Sequence, residues 1–331
     1  MNSLFTRLCC LLNLSSSAQY VVHQHEIIVC AGRDRNCYSY DILTNKYKFI
    51  CKYPSCFDVI EHRVVKFTDN SNNNKDTNEI TLLAFDAHSN HVLMMKYVSA
   101  WNKENTAKIL SKSYNEWDFF KDNHNNPIFI GGNTTHYNGL RAVIGGSNNH
   151  LLFITYYPKN IDVFNLNTLQ FIKQENLPID DETYFNCFVL NAKNANDDKN
   201  QKGKNEMWLF YGKKGLSIEY DEDNNTFKFY NIRVCTSLKS LSAYACICVN
   251  DCILFFGGRN NIFNISSGIY KYSITRNQWM ISKQELITNL CNCVAVLSEE
   301  REVDWVAIHI KTKVEEWTKA DEEKWTIESE E

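Results

Sequence analysis

Thirteen cysteines and nine histidines are the chain's main supply of groups that could ligate a metal or attack a substrate. Cys246 and Cys248 alternate along one apolar stretch, and so do Cys291 and Cys293. Residues two apart on a strand share a face, so either pair could supply half of a metal site. No second pair stands at zinc-like spacing, and small buried hydrophobes in a reducing compartment explain the count more simply. The histidines are scattered, and His23 and His25 flank a tight turn where solvated rings are expected. Asp221-Glu222-Asp223 is a carboxylate run, but acidic and asparagine residues are also natural turn formers. The sequence has no Gly-x-Ser-x-Gly elbow, no phosphate-cradling glycine loop and no His-Glu-x-x-His. It therefore predicts a protein that is not an enzyme, with no catalytic residue, cofactor or metal.

The cations suggest a different chemistry. Arg33, Arg35, Lys159, Lys213, Lys214 and Arg259 each follow closely on a short apolar run, in a chain whose net charge is −4. A guanidinium can hold a carboxylate in two hydrogen bonds, and lysine adds a less directional charge. These six are the candidate contacts for an acidic segment of a protein partner. So small a net charge does not argue for nucleic acid or a membrane surface. No apolar stretch approaches the roughly 18 residues that span a bilayer.

The elements that must position these residues repeat. Apolar runs of strand length recur at Ile27–Cys30, Ile80–Phe85, Leu151–Tyr156, Met207–Tyr211 and Ile253–Phe256. Each is followed by a strand bearing an aromatic residue: Tyr40, Tyr97, Phe164, Tyr220 or Tyr272. A second aromatic stands seven positions beyond four of these, at Tyr47, Phe171, Phe227 and Trp279, and Ile310 is followed by Trp317 at the same interval. After Tyr97 the aromatic is delayed to Trp117, as if residues had been inserted. Glycines at run ends are less regular, standing at Gly32, Gly212 and the pair Gly257-Gly258.

Buried strand, double glycine, strand with Tyr, turn, strand with Trp: this order, clearest over Cys252–Trp279, resembles a kelch repeat. The resemblance covers roughly residues 18–319, and a period near ~50 residues is the one expected of such units. It implies an all-β fold, a six-bladed β-propeller with four-stranded blades. The sixth blade is degenerate, because Val303–Ile310 is the one strand available between Leu297 and Trp317. Residues 1–17 are then a separate N-terminal segment, and 320–331 an acidic C-terminal tail, expected to be solvated. Arg7, Leu8–Leu14 and the serines after them have the outline of a short secretory signal, and Asn-x-Ser/Thr occurs at Asn13, Asn133, Asn224 and Asn264. The competing reading is a strand over Leu4–Leu14 that completes the last blade, in a cytoplasmic protein. The inserts at 69–78 and 194–205 carry too little apolar surface to fold. The resemblance further implies a non-catalytic protein-binding scaffold, whose loops between second and third strands emerge on one face. The alternative is a propeller-based oxidoreductase or secreted enzyme resembling galactose oxidase.

Overall fold

The computed structural model describes residues 6–7, 18–30, 34–67, 79–88, 91–110, 114–130, 137–179, 187–191, 203–297, 302–305, 310–313, 317 and 324–328. Gly32, Arg33, residues 69–78 and most of the 194–205 insert lie outside them, as does Leu4–Leu14 apart from Thr6 and Arg7. Two compact units divide the chain, Leu12–Glu182 and Thr183–Glu331, the latter joined by Met1–Leu11. The first strand, β1 (Thr6–Arg7), belongs with the second unit.

The Leu12–Glu182 unit holds three antiparallel sheets of four consecutive strands. These are β2 (Gln19–His23), β3 (Glu26–Cys30), β4 (Asn36–Asp41) and β5 (Lys46–Lys52); β6 (His62–Phe67), β7 (Glu79–Asp86), β8 (Val92–Val98) and β9 (Asp118–Phe119); and β10 (Arg141–Gly145), β11 (Leu151–Tyr156), β12 (Asn160–Asn165) and β13 (Gln170–Asn176). The first strands lie side by side, β2 with β6 and β6 with β10. The apolar second strands β3 and β11 are buried at every residue, because neighbouring sheets cover both their faces.

The second unit repeats this plan. It contains β14 (Cys187–Leu190), β15 (Lys204–Tyr211), β16 (Lys214–Asp221) and β17 (Thr226–Arg233), then β18 (Ala245–Val249), β19 (Cys252–Phe256), β20 (Ile269–Ser273) and β21 (Gln278–Ser282). Lys204 and Asn205, read as insert, instead begin β15 and pair with Asp221 and Tyr220. The last sheet combines β22 (Ala295–Leu297), β23 (Glu302–Trp305) and β24 (Ile310–Lys313) with β1. Thr6 faces Lys311 and Arg7 faces Ile310. Val303–Ile310 is therefore split between two strands. Five sheets are blades of four chain-consecutive strands, against the six expected, because the last stretch supplies three strands and borrows its fourth from the N-terminus.

The C-terminal tail also departs from expectation. β25 (Trp325–Ile327) pairs with β21, Ser282 facing Trp325 and Met280 facing Ile327. Burial of an aromatic drives this. Trp325 packs edge-on to Trp317, and the Lys271 ammonium sits 4.2 Å from the Trp325 ring centre. Lys271 Nζ also donates to the Trp317 carbonyl at 3.2 Å, which satisfies a buried cation.

The seven-residue interval has a geometric cause. Tyr40 faces Tyr47, Phe164 faces Phe171, Tyr220 faces Phe227 and Tyr272 faces Trp279 across the hairpin between third and fourth strands. Each turn contains a residue in the left-handed region: Asn45, Leu169, Asn225 and Asn277. The tyrosine hydroxyl donates to that asparagine's Oδ1 at 2.7 Å (Tyr40 to Asn45), 2.9 Å (Tyr220 to Asn225) and 2.7 Å (Tyr272 to Asn277). In the remaining hairpin both partners are apolar, Phe164 with Leu169. That hairpin has neither the hydroxyl nor the amide. Two other intervals have different meanings. A 3-10 turn and short helix over 103–110 separate Tyr97 from Trp117, and Trp117 stacks on Tyr53 at 5.0 Å. Ile310 pairs with Arg7 and Trp305, while Trp317 donates from Nε1 to Thr312 Oγ1 at 2.9 Å.

At Gly257 the backbone is left-handed (φ 64°), and a Cβ would stand 2.3 Å from the Leu290 carbonyl oxygen. Close approach of the β21–β22 connection requires glycine here.

Candidate functional site

Of the predicted cationic residues, Arg35, Lys159, Lys213 and Arg259 lie in loops and Lys214 opens β16, while Arg33 lies outside the described residues. In the first unit, Arg35 is itself left-handed (φ 61°), and its guanidinium turns back to donate to the carbonyls of Pro54 and, at 2.7 Å, Phe57. It pins the β5–β6 connection, so these donors serve the fold. Lys159 is exposed in the β11–β12 turn. In the second unit Lys213 is exposed in the β15–β16 turn, and Lys214 is half-buried at the start of β16.

Arg259 is half-buried at the base of the long β19–β20 loop. Its backbone exchanges two hydrogen bonds of 2.8 Å with Ser242, which ties the loop to the β17–β18 connection. Its guanidinium lies 5.5 Å from the Phe263 ring centre. The turn beyond is held by Asn260, whose Oδ1 accepts from Ile262 N and Asn264 N at 3.1 and 2.9 Å. That turn pushes apolar side chains outward: Ile262 is 74% exposed and Phe263 72%. This arrangement sets a cation and water-exposed apolar surface side by side.

Arginine on the first strands escaped the sequence reading. Arg63 near the start of β6 donates from Nη1 to the His62 carbonyl at 3.0 Å, and Arg141 at the start of β10 donates to the Leu140 carbonyl at 2.8 Å. Burial first, then the charge of Arg141, holds the Arg63 guanidinium well below its ordinary value, while Glu61 acts the other way. The signal lay in two arginines opening equivalent strands.

The titratable clusters serve packing. Asp162 Oδ2 accepts from Tyr156, Gln174 and Tyr137 at 3.1, 3.2 and 3.3 Å. Burial raises its pKa, and burial likewise pushes up both tyrosines. Asp86 borders a crevice of about 10 Å³ with His91 and Tyr137, room for about one water. Its carboxylate accepts from His88 N at 2.9 Å and Asp58 N at 3.3 Å. His23, expected to be solvated, is buried edge-on to Tyr97 because its ring fills the space beside β8. Asp221 is a turn former as read, its Oδ1 accepting from Asn224 N at 3.0 Å. Among the described residues no group of three His, Cys, Asp or Glu is arranged to hold a metal ion.

The cysteines are not all reduced. Cys187 on β14 and Cys246 on β18 form a disulfide with Cα atoms 6.3 Å apart, stapling two neighbouring first strands. Cys30, Cys37 and Cys51 face one another across β3, β4 and β5 as buried free thiols. Among the described residues, no helix is long and apolar enough to cross a membrane.

No protein-family profile matches the chain, and no curated protein does. Among solved structures it is similar to one described as "Structure of YjhT", at 13% identity with a TM-score of 0.55, over 99% of this chain and 100% of that one. Identity that low speaks to fold alone. Together with the four-stranded antiparallel blades it makes the fold a β-propeller.

Proposed function

We propose that this protein is a non-catalytic propeller scaffold of kelch type, which binds an acidic segment of a protein partner through its loops between second and third strands. In this reading the β22–β24 sheet completed by β1 serves as a sixth blade. The paired rings of the third and fourth strands support the kelch assignment, because four hairpins keep the same register.

One observation carries the binding role: the β19–β20 loop sets Arg259 against Phe263 and exposes Ile262 and Phe263. Large apolar side chains left in water at a fixed turn gain no burial on folding, and contact with a partner supplies it. Aromatic and arginine residues are also the types that dominate binding energy at interfaces. Lys213 adds exposed charge on the neighbouring blade. The test is titration of the full chain with a synthetic peptide alternating glutamate and leucine. Arg259→Glu with Phe263→Ser should weaken binding at least about tenfold and flatten its salt dependence. Equal binding by the variant overturns the reading.

The cytoplasmic setting expected from the sequence conflicts with the Cys187–Cys246 disulfide, since such bonds persist in oxidising compartments. The mass of protein isolated under thiol-blocking conditions decides between them.

A further inference from the structure

One register position recurs on the first strand of the five blades built from four consecutive strands. Opposite the penultimate residue of the second strand stand Tyr20 (facing Val29), Arg63 (facing Phe85), Arg141 (facing Thr155), Cys187 (facing Phe210) and Cys246 (facing Phe255). In the second unit β14 and β18 are neighbours, and at this position their side chains meet in a disulfide. The disulfide shows that this register brings side chains of adjacent first strands within reach of each other there. In the first unit β6 and β10 are neighbours in the same way, and the same position carries Arg63 and Arg141. Tyr20 holds it on β2, which neighbours β6 on the other side.

We propose that Arg63 and Arg141 form an oxyanion site that takes a carboxylate between their two guanidinium groups. Both side chains are half-buried, so water reaches them incompletely and like-charge repulsion is weakly screened. Each is anchored through Nη1 to the carbonyl of the preceding residue, which fixes the plane of the fork. A guanidinium carries five donors, and two forks meeting a planar carboxylate give charge-assisted hydrogen bonds that offset the repulsion. Arg63 feels the charge of Arg141 more strongly than that of Glu61. Glu61 is exposed and its Oε2 accepts from Gly139 N at 3.4 Å. The proposed site stands whether or not the β19–β20 loop binds a partner.

The experiment is calorimetric titration of the full chain with citrate and with a glutamate decapeptide, in low-chloride buffer. Saturable binding of either probe is expected, weakened at least about tenfold in Arg63→Gln and in Arg141→Gln, with Arg63→Lys intermediate because it keeps charge without the fork. Binding of both probes assigns the site to free carboxylates as well as acidic side chains, and binding of the peptide alone assigns it to an acidic segment. If the glutamine variants do not fold, phenylglyoxal labelling of the unaltered chain reads the same question, with citrate or the peptide expected to protect Arg63 and Arg141. No binding of either probe, affinity unchanged in the glutamine variants, or labelling that neither probe reduces overturns the proposal.

Discussion

Lowering the pH should unfold this protein partly through His62. Its ring is 1% exposed, and Nδ1 lies 3.0 Å from the Val59 carbonyl, which assigns the neutral Nδ1–H tautomer. Nε2 is buried with no hydrogen-bond partner among the described residues. Burial, then the charge of Arg63, lowers its pKa to about 4, against the pull of the Val59 carbonyl, Asp58 and the Cys30 backbone. In the unfolded chain the ring titrates near 6.5, so between about pH 6.5 and 4 the unfolded state binds more protons. The contribution is fully present above that window and is lost as pH falls through it. The whole window corresponds to about 3 kcal/mol, and the part between about pH 7.5 and 5 to about 2 kcal/mol. Urea unfolding of the parent chain and of His62→Gln at those two pH values isolates this group, because every other titrating residue is common to both. The parent should lose about 2 kcal/mol more than the variant on acidification. Equal losses would refute the argument that a buried neutral imidazole creates the sensitivity.

Two further outcomes follow from the hairpins. Trp279 donates from Nε1 to the Arg233 carbonyl at 2.6 Å and packs on Tyr272 and Phe255 with ring centres 5.1 and 5.2 Å away, so Trp279→Ala should cost about 3–5 kcal/mol in denaturant unfolding. Phe164→Tyr alone should destabilise by about 1–3 kcal/mol, because the new hydroxyl faces Leu169; adding Leu169→Asn should restore the loss, and the double-mutant cycle measures the coupling.

Much of the fold was legible because the hairpin imposes a fixed interval. Tyr40, Phe164, Tyr220 and Tyr272 lie where the seven-residue spacing put them, each opposite an aromatic. The asparagine five positions after three of these tyrosines was also in the string, but its meaning depends on a left-handed turn that brings Oδ1 to the hydroxyl. The C-terminal strand was hidden by its acidic neighbours, since Trp325 is buried by pairing with β21, far off in sequence. The site was less legible. Arg35 follows an apolar run like the other loop cations, yet a positive φ turns it into the β5–β6 connection. Arg63 and Arg141 gained meaning through register, which places them on adjacent strands. Cys187 and Cys246 stand 59 residues apart with no local pattern to join them.

The proposed function turns on the β19–β20 loop being a partner-binding surface. Placing a photo-crosslinking amino acid at position 263 of the full chain, with Leu43 as control, tests this directly. Leu43 is 63% exposed but sits in the hairpin turn between β4 and β5, which joins a third to a fourth strand. Irradiation in native extract should give a discrete adduct from position 263 that added glutamate–leucine peptide suppresses, and none from position 43. The same adducts from both positions, or none from 263, would contradict the account.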